Sequence, residues 1–424
     1  MKRIEKLKTK YLIVGAGCSG LAFANNCNKD DYLILEKDSK AGGYCKTIYQ
    51  GPYVWDYAGH FFHFATDYWK EYFESRIDRE ALVTVEKNTK IYYKSELIDY
   101  PFQKNIHQLP KQEFIECLYD LFFKEEKDSY SSFKQMLYGK FGRSISEKFL
   151  IPYNEKLYAC DLDELDCDAM GRFFPYANID DIISNMIVKE NSSYNGSFLY
   201  PKKGAETFIN ALLRDLDNNR ILYNEELLEI DKASRTVKTS NYIIEYEHLI
   251  NTIPFKELLK ITESDDYESV LGCNKVLVFN LGFDKKSSAY NGIHWVYIPD
   301  KSINFYRIGF YDNILNQDRL SMYIEIGYSA NEAINIEAQL DATLENLRKI
   351  GVITDHKLLE EWHCIMDPAY VYLSDDARSL VNTKTKELEE QGIYTIGRYG
   401  AWKYCSIEDC LIDASNLFER VNSI

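Results

Sequence analysis

The chain has 424 residues and a formal charge of −16. That length suits two or three domains around a large core, and the acidic balance argues against nucleic acid as a partner. No apolar run reaches bilayer length, so no membrane span is expected.

The ten cysteines include no C-x-x-C pair. This predicts reduced, mostly buried thiols rather than a disulfide frame or a zinc site. The basic stretch Met1 to Lys10 runs into a short apolar segment that reads as a strand, not as a signal peptide, so a cytoplasmic location is expected. Tyr11 to Val14 reads as a buried strand and Leu21 to Cys27 as a helix packed on a sheet. Between them stand Gly15, Gly17 and Gly20 as G-x-G-x-x-G, and a second strand, Tyr32 to Leu35, ends at Glu36. Gly15 allows the tight turn, Gly17 admits a pyrophosphate against the backbone, and Gly20 lets helix and strand approach closely. The helix N-terminus offers free N–H groups to the phosphates, and Glu36 stands where a carboxylate accepts from a ribose. Strand, glycines, helix, strand and acid together predict a dinucleotide site.

The next residues, KDSKAGGYCKT from Lys37, carry the pair Gly42 and Gly43. This pattern resembles the flavoprotein family of amine oxidases, protoporphyrinogen oxidases and sugar-nucleotide mutases, and implies FAD held by Glu36, Lys37 and the glycine pair. Gly51 to Trp69 then reads as a strand, a turn at Gly59 and a helix near Asp67. His60 and His63 lack acids or cysteines at ligand spacing, so no metal is expected. The string DYAGHFFH resembles the glycine–histidine loop of UDP-galactopyranose mutases. The resemblance implies that the loop lies against the flavin, with the Gly59 carbonyl accepting from reduced N5 and His60 holding the loop.

The runs VTVEK and KIYYKSELIDY, between Thr84 and Tyr100, read as a hairpin. It leads into YPFQKNI, where Phe102 offers a stacking face beside the Gln103 amide. This string is nearly that of the mutase family, which implies that Tyr100, Phe102 and Gln103 bind substrate, the last two holding the uracil of UDP. Leu109 to Lys156 is the longest helical region, with a core-facing aromatic stripe. Its end, IPYNEKLY, resembles the family's uridine-binding helix and implies nucleotide contacts from Asn154 and Tyr158. The family usually has Trp where Tyr158 stands. Arg172 follows a glycine in a predicted loop; in the mutases an arginine on a mobile lid here reaches the substrate diphosphate.

Asn191 to Gly204 is polar, Pro201 to Gly204 reads as a turn and Glu206 to Leu213 as a helix. The following period-two stretch predicts a hairpin and a last strand that returns to the cofactor domain, closing at Asn251 to Pro254. Asn274 to Tyr328 holds short alternating strands, expected as one antiparallel sheet. Trp295 and Tyr297 share a face of it. Arg307, between Tyr306 and Ile308, needs an anion if it points inward, and a buried acid or a ligand phosphate both satisfy that need. W-x-Y-x-P followed by FYR is the family's pattern and implies that Arg307 and Tyr297 meet the diphosphate. Asn331 to Ile350 reads as an amphipathic helix. Tyr370 follows the turn at Asp367–Pro368 and corresponds to another family tyrosine at the diphosphate. Last, GRYGAWKY resembles the mutase string and implies Gly397 and Arg398 toward the flavin and Tyr404 toward the substrate.

Together these motifs predict an α/β fold. A discontinuous Rossmann-like FAD-binding domain (1–80, 198–268 and 376–424) would be joined by an antiparallel β-sheet domain (81–102 and 269–375) and a helical domain (103–197). The resemblance implies a flavin-dependent mutase that interconverts the pyranose and furanose forms of UDP-galactose or a close analogue. Reduced flavin N5 would act as nucleophile at the anomeric carbon, forming a covalent adduct, with NAD(P)H as the expected reductant. Such an enzyme makes precursors of cell-surface polysaccharides, and homo-oligomerisation stays open. An amine oxidase-like oxidoreductase is the alternative, and a non-enzymatic nucleotide sensor a third.

Overall fold

The computed structural model describes residues 4–187, 196–262, 267 and 269–423, so the start of the polar 191–204 stretch and part of the predicted helical segment lie outside the described residues. Two seven-stranded sheets organise the chain. The first is laid down by Glu5–Val14, which pairs in parallel with Tyr32–Glu36 on one side and Tyr242–Asn251 on the other. Ile221–Tyr223 extends it beyond Tyr32–Glu36, and Ile393–Thr395 joins in parallel against Tyr242–Asn251. Strands from three separated parts of the sequence thus make one sheet, with the predicted hairpin realised as Glu229–Asp231 and Thr236–Lys238 at its margin. All five residues of Tyr32–Glu36 are buried, as expected for a parallel strand covered on both faces.

The second sheet runs Leu358–Met366, Asn274–Phe283, Ser321–Ser329, Arg307–Phe310, Trp295–Tyr297, Thr89–Tyr93 and Glu96–Asp99. Its pairs are antiparallel except Trp295–Tyr297 against Thr89–Tyr93. Two expectations change here. VTVEK does not pair with the strand that follows it: Leu82–Glu86 pairs instead with Ser197–Pro201. Thr89–Tyr93 has its two edges filled by Trp295–Tyr297 and Glu96–Asp99, which leaves no edge for its predecessor. Within the stretch expected as strands, the chain after Arg307–Phe310 turns into a short helix, Tyr311–Leu315.

The predicted helical region is four pieces: Lys111–Phe122, Phe133–Ile145, a π-turn at Ser146–Leu150, and Ile151–Tyr158. Lys156 ties the last of these to the sheet. Its ammonium donates to the carbonyls of Ile298, Asp300 and Phe305 at 2.9, 2.9 and 2.6 Å. Burial pushes its pKa down to about 7, and three carbonyl acceptors satisfy the proton it carries. The final helix, Ile407–Asn422, starts at a capping box in which Ser406 and Asp409 satisfy each other's backbone N–H groups. No helix among the described residues is long and apolar enough to cross a membrane.

Candidate active site

A single cavity of about 1380 Å³ runs between the two sheets and the helices. Its first half is the glycine turn. Gly15 has φ +104°, which favours glycine, and a Cβ on Gly20 would sit 2.0 Å from the Gly15 carbonyl. Over Gly17 there is open space, so a ligand can approach the backbone there. The buried Glu36 carboxylate accepts from the N–H groups of Ala16 (2.8 Å) and Asp38 (2.9 Å), which fixes it at the end of its strand. Gly42 and Gly43 also have positive φ, and a Cβ on Gly43 would sit 3.6 Å from Gly17 Cα. Gly15, Gly17, Glu36, Lys37, Gly42 and Gly43 line this half together. Gly20 and Gly397 act behind it: a Cβ on Gly397, at φ +80°, would meet Ser19 Oγ at 2.3 Å.

The middle of the cavity is the Gly59–His60 turn. A Cβ on Gly59 would fall 2.5 Å from the Tyr323 hydroxyl, so the turn sits directly on the sheet. His60 Nδ1 lies 3.2 Å from the Ala58 carbonyl. Burial, with Arg398 and Arg307 nearby, lowers its pKa to about 4, so the ring is neutral. His63 is lowered to about 4 by burial as well, and its Nδ1 faces the Ser197 carbonyl at 3.0 Å.

The far half gathers cations and tyrosines. Arg307 gives its Nε and Nη2 edge to Glu325, with Nη2 to Oε1 at 2.7 Å. Of the two anions left open by the sequence, the buried acid is therefore present, on the neighbouring strand at the paired position. The guanidinium still lines the cavity, and its Nη1 has no hydrogen-bond partner among the described residues. Arg398 is different, because it has no carboxylate partner among the described residues. Its Nη1 donates to the Cys405 carbonyl at 3.2 Å, and the rings of Tyr404, Tyr370 and Tyr399 stand 4.6, 5.3 and 5.9 Å away. Tyr100, Tyr297, Tyr370 and Tyr404 line the same chamber. Lys87 is there too, between the rings of Tyr100 and Trp295, with its pKa lowered to about 8 by burial and then by Arg307.

Not every predicted residue faces the cavity. Phe102 is fully buried and stacks on Phe149 at 5.1 Å, and it is Phe149 that forms the wall. Gln103, also fully buried, donates to the Pro175 carbonyl, while its Oε1 has no partner. Asn154 lines the cavity but gives its amide N–H to Leu150 (2.7 Å), and its Oδ1 is left over. Tyr158 lies behind Tyr370, ring edge to face at 5.6 Å, with an unpartnered hydroxyl. Gln103 Oε1, Asn154 Oδ1 and the Tyr158 hydroxyl, on side chains expected to meet the nucleotide, are thus buried without a partner among the described residues, and of the three residues only Asn154 lines the cavity. Arg172 lies outside the large cavity, on a smaller one of about 350 Å³, where it pairs with Asp409 at 2.6 Å.

Sequence reasoning missed Glu325, Lys87 and the ring of Phe61, which stacks on Trp295 at 5.3 Å. Glu325 carried a signal: in YIEIG it is an acid between isoleucines on a strand, as telling as Arg307 between Tyr306 and Ile308.

Residues 13–75 match the model of the NAD(P)-binding Rossmann-like domain. The whole chain superposes on a crystal structure of reduced UDP-galactopyranose mutase with TM-score 0.91 and 20% identity, over 98% of this chain and 96% of that one. A protein named as a protoporphyrinogen oxidase of Exiguobacterium sp. 255-15 follows with TM-score 0.78 and 17% identity, over 97% and 98%. A putrescine oxidase double mutant matches with TM-score 0.69 and 12% identity, over 99% and 100%. The chain shares their fold. It is a mixed α/β architecture in which a Rossmann-like domain is combined with helices and an antiparallel sheet.

Proposed function

We propose that this protein is a flavin-dependent mutase that interconverts the pyranose and furanose forms of a UDP-sugar, UDP-galactose or a close analogue. The observation that carries the reading is the charge of the far chamber. Arg398 has no carboxylate partner among the described residues, Arg307 keeps its Nη1 edge on the cavity, and Lys87 stands beside them, while Glu325 is the carboxylate bonded to Arg307. A diphosphate suits such a chamber; a cationic amine, the substrate of an amine oxidase, is repelled by it.

The near half fits FAD. The open backbone at Gly17, the helix N-terminus at Cys18 and the held carboxylate of Glu36 are what a dinucleotide requires, and Lys37, Gly42 and Gly43 complete the cradle. Bound and reduced, FAD supplies a nucleophile for the anomeric carbon. The chain's own groups do the rest. Arg307 Nη1, Arg398 and the hydroxyls of Tyr297, Tyr370 and Tyr404 hold the departing diphosphate, and Arg172 closes over it. Neutral His60 keeps the Gly59 turn in place without adding charge near the reacting carbon. Asn154 meets the uracil at the cavity wall, while Phe102 backs Phe149, Tyr158 backs Tyr370 and Gln103 lies behind that wall. Remote binding of the nucleotide then positions the sugar. Ten free thiols support a cytoplasmic setting, with NAD(P)H as reductant and a furanose donor for cell-surface polysaccharide as product.

Chromatography of UDP-galactose and its N-acetylamino analogue with anaerobic, dithionite-reduced protein tests this. Isomer formed only in the reduced state is the expected result. Substrate-dependent oxygen uptake without isomer would replace the mutase by an oxidase.

A further inference from the structure

The far chamber contains a second chemistry that the mutase reading leaves unused. Cys405 and Cys410 stand with their sulfurs 3.7 Å apart, and both line the large cavity. Neither is in a C-x-x-C motif. The chain brings them together because Cys405 precedes the Ser406 cap and Cys410 closes the first turn of the Ile407–Asn422 helix. We propose that Cys405 and Cys410 are a redox-active dithiol that closes reversibly to a disulfide.

Three features distinguish this pair from a chance contact of buried thiols. The Cys410 sulfur faces the Cys405 thiol, the Arg398 backbone N–H and the Ser19 hydroxyl, and these contacts keep its pKa below that of an ordinary cysteine, with either sulfur able to donate in the shared contact. Thiolate character of this kind makes an attacking sulfur. The partner, Cys405, is pushed up by its bond to Cys410 and by burial, so it keeps its proton until the second step. Closing the bond shortens the gap from 3.7 Å by about 1.7 Å. The loop before the helix can take up that movement, because Cys405 lies outside the helix. A second close pair, Cys18 and Cys45 at 3.6 Å, offers a contrast in the same cavity. There both residues belong to regular elements, Cys18 opening the Cys18–Asn25 helix and Cys45 closing the Gly43–Cys45 turn, so neither backbone is as free to close the gap.

The step balances with a low-molecular-weight disulfide as oxidant. Cys410 thiolate attacks one sulfur of glutathione disulfide, forms a mixed disulfide and releases glutathione, which takes up the proton. Cys405 then loses its proton and attacks the Cys410 sulfur, displacing the second glutathione. Two protein thiols are oxidised and one disulfide becomes two thiols. Arg398 is the first group to feel the closure, since its Nη1 donates to the Cys405 carbonyl.

The test is equilibration of the purified protein, with whatever cofactor it carries, in buffers of varied glutathione to glutathione disulfide ratio. Acid quench, alkylation and peptide mass mapping then read the thiols. Expected is the loss of two of the ten thiols as one intramolecular bond between Cys405 and Cys410, ahead of any bond between Cys18 and Cys45. Cys405→Ser should trap glutathione on Cys410, and Cys410→Ser should leave Cys405 unmodified. All ten thiols still alkylated at the most oxidising ratio would overturn the proposal. So would Cys18–Cys45 oxidising first, or Cys405→Ser leaving Cys410 free of glutathione.

Discussion

Replacing Arg307 by alanine does two things at once, and the structure says how to separate them. Both carboxylate oxygens of Glu325 are bonded to Arg307, and the Glu325 side chain is 2% exposed. Removing the arginine strands a buried charge, which costs about 3–5 kcal/mol of stability. The stranded carboxylate also repels a diphosphate, so UDP binding falls for a second reason. Arg307→Met with Glu325→Leu removes both charges with similar volume and should recover most of the stability. What it should not recover is the contact from Nη1. One edge of a guanidinium whose charge is shared with Glu325 is worth about 2 kcal/mol to an anion, or roughly a 30-fold weaker Kd. Urea melts and calorimetric UDP titrations of wild type, both single variants and the double variant form the cycle. If the double variant binds UDP like wild type, Arg307 serves Glu325 alone and the diphosphate role is wrong.

Gly20→Ala places a Cβ 2.0 Å from the Gly15 carbonyl, so purified protein should lose its flavin absorbance and about 1–3 kcal/mol of stability. Arg172→Ala breaks a half-exposed pair with Asp409; stability should change by less than about 1 kcal/mol, while UDP affinity falls in the same titration. His294 is buried, its Nδ1 accepts from the Asn88 N–H at 3.0 Å, and burial lowers its pKa to about 4. A folded pKa below the unfolded 6.5 means stability is complete above about pH 6.5 and is lost as pH falls toward 4, up to roughly 3 kcal/mol. His294→Asn, which keeps an acceptor, should flatten that slope in melts at pH 4.5 and 7; an unchanged slope would show that other groups set it.

The glycine-turn half of the cavity was legible from sequence because its information is local. Gly15, Gly17, Gly20 and Glu36 lie within one strand–helix–strand unit, and the local geometry requires glycine at Gly15 and Gly20. The same holds for the helices, whose apolar period survives in the fold. What tertiary structure alone decided is what stands opposite each side chain. Period two puts Arg307 and Glu325 each on a strand, but only the register of the two strands makes them a pair. It marks Leu82–Glu86 as a strand without revealing that its partner, Ser197–Pro201, comes more than a hundred residues later. The string YPFQ offers Phe102 as a stacking face, yet Phe149 takes that face and forms the wall instead. Cys405 and Cys410 looked scattered because no motif joins them; a helix cap brings their sulfurs together. Backbone preference is set by a residue and its neighbours, whereas charge pairing, wall and thiol contact are set by whichever distant segment packing delivers.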